Sequence, residues 1–265
     1  MAASAPPTSP RCSVTAIQRG VGLAGEALLR PVRTGNAFED TVGRLLQLIR
    51  LGMVEPGQAL PSERDLALNF GVSRDTVRDA IRALAGAGFL VSRRGRYGGT
   101  FVSETLPERG LSAVLEGQEG LQAKPAATAA EIEDSLVLRE ILEVGTARAA
   151  AQQTLTSAQR EILWDSLLAT NNASAADYRR LDSRLHLAIG EAVGSASLIP
   201  LLADNRTRIN DLLDDIPLLA PNIIHSNDQH EAIVTAILAG DADRAAEAMH
   251  EHLAGTAVLL RGFLG

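Results

Sequence analysis

Apolar residues recur at helical spacing from the first third of the chain onward. Phe38, Val42, Leu45, Leu46 and Ile49 lie on one face of a helix over about 38–51. Glu55-Pro56-Gly57 then breaks the chain. In Pro61-Ser62-Glu63-Arg64-Asp65, Ser62 has the character of an N-cap, with Asp65 three residues on, and the short helix it opens ends near Phe70-Gly71. Ser73 is a second N-cap, for a helix to about Ala85 with Val77, Ala80, Ile81 and Leu84 inward and Gly86 and Gly88 ending it. The period then changes from helical to alternating. Phe89–Ser92 and Thr100–Ser103 read as two short strands around a basic, glycine-rich tip at 93–99. Three helices followed by a two-stranded wing predict a winged helix-turn-helix over 37–103.

Two stretches lack such order. Residues 1–36 are rich in Pro, Ser, Thr and Gly and read as a flexible, mostly disordered extension. Residues 104–130, with Pro107, Gly110, Gly117, Gly120 and Pro125, read as a linker. From 131 to 265 the pattern is helical throughout. Leu136, Ile141, Leu142 and Val144 mark one helix. Leu181, Leu185, Ala188 and Ile189 mark another. Ile233, Ile237, Ala245, Met249 and Leu253 mark a final pair broken at Ala239-Gly240-Asp241. The fold class expected is mainly α: an N-terminal winged helix-turn-helix domain and a C-terminal all-α bundle.

Charge sharpens this picture. The 265-residue chain has a net charge of -7 and a pI near 5.3, which by itself disfavours nucleic acid. Its distribution reverses that argument. Between Pro61 and Val102 seven arginines (64, 74, 78, 82, 93, 94, 96) stand against four acids (63, 65, 75, 79), a local excess of three positive charges. Arg74, Arg78 and Arg82 follow at i, i+4 and i+8, one ridge opposite the apolar stripe. Such a ridge at a helix N-terminus suits guanine edges and phosphates of double-stranded operator DNA. Thr76 suits a phosphate or a thymine methyl, Arg64 can reach the same groove, and the wing arginines suit the backbone or minor groove. The plainer alternative is a solvated face whose arginines pair with Asp75 and Asp79.

Composition excludes other classes. Cys12 is the only cysteine, so no internal disulfide or thiolate cluster can form. No apolar run approaches the roughly 20 residues of a membrane span, and the N-terminus lacks a signal-peptide core. A cytoplasmic protein without membrane partners is expected.

The long pattern from Pro56 through Asp65-Leu66-Ala67, Gly71-Val72-Ser73-Arg74-Asp75-Thr76-Val77-Arg78-Asp79-Ala80-Ile81, Gly88-Phe89-Leu90 and Gly99-Thr100-Phe101-Val102 resembles the GntR family of regulators over about 38–103. The resemblance implies operator contact by Arg64, Arg74, Thr76 and Arg78, with Arg94-Gly95 near the minor groove.

All five histidines lie in the helical region. Asp182 and His186 are one turn apart on the face of Leu185 and Ile189. His230 shares its face with Ile233, Val234 and Ile237, and His252 shares its face with Ala245, Ala248 and Met249. These four point inward. His250, near Asp243 and Glu247, reads as solvated, and His225 as lying just outside a helix start. Any one such histidine alone reads as a satisfied core residue. Burying a carboxylate and three imidazoles together is costly unless something pairs them, and a divalent metal does so. Zn²⁺ suits the set best, with Ni²⁺ or Mn²⁺ also compatible, leaving a position for a ligand oxygen.

Leu181-Asp182-Ser183-Arg184-Leu185-His186-Leu187-Ala188-Ile189, followed by His230 and His252, is similar to the effector-binding (FCD-type) domain of the FadR subfamily. The resemblance implies Asp182, His186, His230 and His252 as metal ligands and a small carboxylate effector held with the metal's help. Arg139 with Glu143 matches the family's Arg-x-x-x-Glu helix. Arg139 either grips the effector or forms a simple i, i+4 surface pair. Gly194-Ser195 stands where the family commonly has Gly-Asn.

The expected protein is a homodimeric regulator, not an enzyme, more often a repressor, with 104–130 relaying effector binding to the spacing of two recognition helices. Two rivals are a metal-dependent hydrolase, for which no spare glutamate sits in an obvious base position, and a helical domain that only dimerises. A pyridoxal-phosphate domain is rejected because Lys124, the only lysine, lies in the linker.

Overall fold

The computed structural model describes residues 25, 28–31, 37–95, 98–107, 127–214, 216 and 218–264. The N-terminal half is built as its caps dictate. Helix α1 (Ala37–Arg50) has Glu39 and Asp40 in its first turn and Arg50 in its last, complementing its dipole, and buries Val42, Leu45, Leu46 and Ile49. Ser62 caps α2 (Glu63–Phe70) by accepting from the Asp65 amide at 3.2 Å. Ser73 caps α3 (Arg74–Gly86) by accepting from the Thr76 amide at 3.0 Å. Helix α3 runs through Gly86, and the left-handed turn falls at Gly88.

Strands β1 (Leu90–Arg93) and β2 (Gly99–Val102) pair antiparallel, Leu90 opposite Val102. Each sits one residue from the range that alternation suggests. The segment before α2 also lies along β2, with Leu60 N donating to Thr100 O at 2.8 Å and Val102 N to Gln58 O at 2.9 Å. At the wing tip, Arg96 and Tyr97 lie outside the described residues.

The second half is an α bundle: α4 (Ala129–Ala151), α5 (Ser157–Asn171), α6 (Tyr178–Val193), α7 (Leu198–Leu213), α8 (Ala220–Ala239) and α9 (Ala242–Leu264). A capping box between Thr128 and Glu131 starts α4 at Ala129, inside the stretch read as linker; 108–126 lie outside the described residues. Helices α5 and α7 are not marked by the apolar pattern. Exposed Ile162, Trp164 and Leu168 blur the face of α5, and buried Asn205, Arg206 and Asn210 interrupt that of α7. The bundle core is Ala147, Ala150, Leu163, Leu167, Leu185, Ile189, Ile233, Ile237, Met249 and Leu253. Gly190 lets α6 and α7 touch: a Cβ there would meet Leu202 Cδ1 at 2.6 Å.

Three expectations change. His225 lies within α8, which starts at Ala220, not outside a helix. The extension is packed where it is described: Leu28 is fully buried in the winged-helix core, and Arg30 pairs with Asp204 at 2.6 Å. The two halves also do not keep separate cores, because Leu187, Ile199, Leu202 and Ala203 join the cluster of α1 and α3. No helix among the described residues is long and apolar enough to cross a membrane.

Candidate DNA interface and metal centre

Arg64, Arg74 and Arg94 are exposed, and none has an ion pair among the described residues. Arg78 is partly exposed and bridges Asp75 at 3.0 Å and Glu63 on α2 at 3.1 Å; Arg82 pairs with Asp79 at 3.0 Å. The ridge and the intrahelical pairs therefore coexist. Glu63 raises the Arg78 pKa further, so its charge is permanent. The Thr76 hydroxyl stands 2.8 Å from Ser73 Oγ, tied to the cap. Gly95 has φ +107, open to glycine and strained for other residues. Arg93 lies over the Phe101 ring at 4.6 Å, bracing the wing from below.

In the bundle, α6 supplies Asp182 and His186, α8 His230 and α9 His252. One ligand-type atom from each lies within 4.8 Å of all the others. The imidazole centroids are 4.5–5.4 Å apart, and His230 Nε2 is 3.2 Å from Asp182 Oδ1. All three histidines are buried.

Electrostatics leaves His186, His252 and Asp182 in the protonation states that a cation needs. Burial, then Arg206, pushes the His186 pKa down to about 4. Burial, then His230 and His186, pushes His252 well below its usual value. Burial works against the Asp182 carboxylate, yet Arg206 with His230 and His186 holds it well below the ordinary range.

Two of the three rings are also oriented from behind. His186 Nδ1 pairs with Glu143, and His252 Nδ1 is 3.3 Å from Gln229 Oε1, so the Nε2 of both rings faces inward. His186 Nε2, His230 Nδ1 and His252 Nε2 have no hydrogen-bond partner among the described residues. Buried orphan nitrogens beside an ionised carboxylate fit a divalent cation.

Arg139 is buried, not a surface residue, and its Nε donates to Glu143 Oε1 at 3.0 Å. The i, i+4 pair exists, but in the protein interior. Glu143 thereby has a role that its sequence context does not assign, joining Arg139 to His186. Arg206 escapes sequence reasoning altogether. It is 1% exposed, donates to Asp182 and lies 3.5 Å from Glu143. Its position on α7 carries no local signal, since a buried arginine reads as a surface one until its partners are known. Arg139 Nη1 and Arg206 Nε are buried donors without partners among the described residues. His250 is exposed and pairs with Glu140 at 2.6 Å, apart from this centre.

Residues 38–102 match the family described as bacterial regulatory proteins, gntR family, and 134–255 match the FCD domain. The chain is 30% identical over 229 residues to a protein of Escherichia coli (strain K12) named as a putative L-lactate dehydrogenase operon regulatory protein, covering 85% of this chain and 86% of that one. It is 27% identical over 226 residues to the HTH-type transcriptional regulator LutR of Bacillus subtilis (strain 168), covering 82% and 97%. The solved structure of E. coli McbR/YncC aligns over 86% of this chain and 99% of that one, with a TM-score of 0.51 and 16% identity, a likeness of fold.

Proposed function

Because the chain belongs to the GntR family of bacterial transcriptional regulators and carries an FCD domain, we propose that it is a repressor whose operator affinity responds to a small carboxylate bound beside a divalent metal. The carrying observation is the convergence of partly buried Asp182 with buried His186, His230 and His252 beside two arginines with unpaired donors. Asp182 and the three histidines would hold Zn²⁺, or Ni²⁺ or Mn²⁺. A bound cation would supply a Lewis-acidic position for an effector oxygen. Arg139 and Arg206 grip the effector carboxylate through charge-assisted hydrogen bonds. Glu143 orients His186 and balances both guanidiniums. L-lactate is the first effector to test, given the operon for which the E. coli relative is named.

In this reading α3 enters the major groove. Arg64, Arg74, Thr76 and Arg78 contact the operator there, and Arg94-Gly95 approaches the minor groove. DNA phosphates and bases then compete with Asp75 and Glu63 for Arg78. A homodimer on a palindromic site supplies the contact length that such affinity requires. A hydrolase is disfavoured because Glu143, the carboxylate nearest the ligands, is committed to Arg139, His186 and Arg206. Burial opposes its charge, but His186, Arg139 and Arg206 hold its pKa well below the ordinary range, so it is a weak base.

The test is fluorescence anisotropy of the full-length protein on its own upstream intergenic DNA, across a salt series, with and without zinc and L-lactate or other small carboxylates. Selective binding that an acid relieves supports the reading. Equal, weak binding to scrambled DNA, unaffected by every acid, refutes it at that promoter.

A further inference from the structure

Helix α7 presents two functional faces. On one, Arg206 reaches the Asp182–histidine cluster, donating to Asp182 and lying against Glu143. On the other, about a third of a turn round, Asp204, Thr207 and Asp211, with Asp214 just past the helix end, form a stripe. That stripe holds the DNA-binding half. Asp204 accepts from Arg44 at 2.9 Å, from Gln47 at 3.1 Å and from Arg30 at 2.6 Å. Thr207 accepts from Gln47 at 3.1 Å. Arg50 donates to Asp211 at 2.6 Å and to Asp214 at 2.5 Å. Arg44, Gln47 and Arg50 lie at i, i+3 and i+6 on α1, so a basic edge of α1 runs down an acidic edge of α7. Beneath them, Ile199, Leu202 and Ala203 of α7 pack into the winged-helix core. A second bridge, Arg180 to Glu55, ties α6 to the loop after α1.

We propose that α7 is the lever joining the pocket to the DNA-binding domain: Arg206 registers what occupies the pocket, and the Asp204-Thr207-Asp211-Asp214 stripe transmits this to α1. This rests on the pocket reading above. A helix moves as a rigid element, and Arg206 lies two residues from Asp204 and one from Thr207. Any ligand that claims Asp182 or the Arg206 guanidinium changes the forces on the same turn that holds Arg44 and Gln47. Close packing makes such a junction shift between discrete arrangements instead of absorbing the change locally. The stripe is a direct route that does not require the 104–130 segment. Partly exposed ion pairs suit this role, being individually weak and readily exchanged.

Hydrogen–deuterium exchange of the full chain, with and without zinc chloride, tests the lever. In the wild type, zinc should slow exchange around 182–186, 230 and 252, and speed exchange over 44–52 by roughly tenfold, within the usual range of coupling between sites. In D204N and in R44Q, both outside the pocket, the zinc protection should persist and the zinc-dependent change over 44–52 should vanish. Two variants guard against one failing to fold, and their melting temperatures check this. Pocket protection in the wild type with no change at 44–52 overturns the lever alone, as does a response that survives in both variants. No protection at 182–186, 230 and 252 overturns the pocket reading and the lever together.

Discussion

Replacing Arg206 by Met is the sharpest probe of the pocket's electrostatics. The guanidinium is 1% exposed, bonded to Asp182, 3.5 Å from Glu143 and 3.4 Å from Ser183 Oγ. Methionine fills much of the volume without the charge. Glu143 keeps Arg139, but Asp182 is left with imidazoles alone, an uncompensated buried carboxylate. Removing one partner of a buried pair costs about 3–5 kcal/mol. For a chain of this size that lowers Tm by roughly 6–20 °C. The loss should depend on pH in a defined direction. In the wild type, Asp182 and Glu143 have folded pKa values well below their unfolded ones, so their contribution is full above the ordinary carboxylate range and is lost only as pH falls below that range, through the lowered folded values. The wild-type and R206M melting curves should therefore converge in acid. Zinc should recover part of the loss at neutral pH by compensating Asp182. Circular-dichroism melts at pH 7.5, with and without zinc, and across a series descending below the ordinary carboxylate range read all of this. A variant that melts within about 2 °C of wild type at pH 7.5 would refute the reasoning.

Other outcomes follow from the same geometry. The His186 pKa is pushed down to about 4, below its unfolded value, so without metal stability should be full above about pH 6.5 and fall as pH drops toward 4, by up to about 3 kcal/mol; a flat denaturant midpoint across that window would contradict this. Changing Arg78 to Ala should cost about 1–3 kcal/mol at a selective operator and little on scrambled DNA, read by anisotropy; an equal loss on both would make Arg78 a phosphate contact. Changing His230 to Ala should abolish stoichiometric zinc in elemental analysis while operator binding survives, and full occupancy in the variant would remove His230 from the ligand set.

Much of the molecule is legible in residue order because its signals are local. Ser62 and Ser73 cap their helices by reaching three residues ahead, and the Val77-Ala80-Ile81-Leu84 stripe repeats within two turns. The Asp182–His186 spacing places both on one face of any helix. Residue order therefore determined the winged helix-turn-helix, the all-α second half and the four residues able to converge on a cation.

The tertiary structure decided what depends on partners far away in the chain. Arg139 could be a simple surface pair until its burial excluded that. Arg206 carries no pattern of its own; its role comes from Asp182 and Glu143, which other helices bring to it. The grip of Asp204 on Arg44 spans 160 residues of sequence, and Leu28 has the look of a loose extension in sequence but is fully buried in the winged-helix core. Periodicity reports which face of a helix is buried, but not what it is buried against. Only packing brings charges from separate elements within a few ångströms in a medium of low dielectric, where their pairing sets protonation and couples one half of the protein to the other.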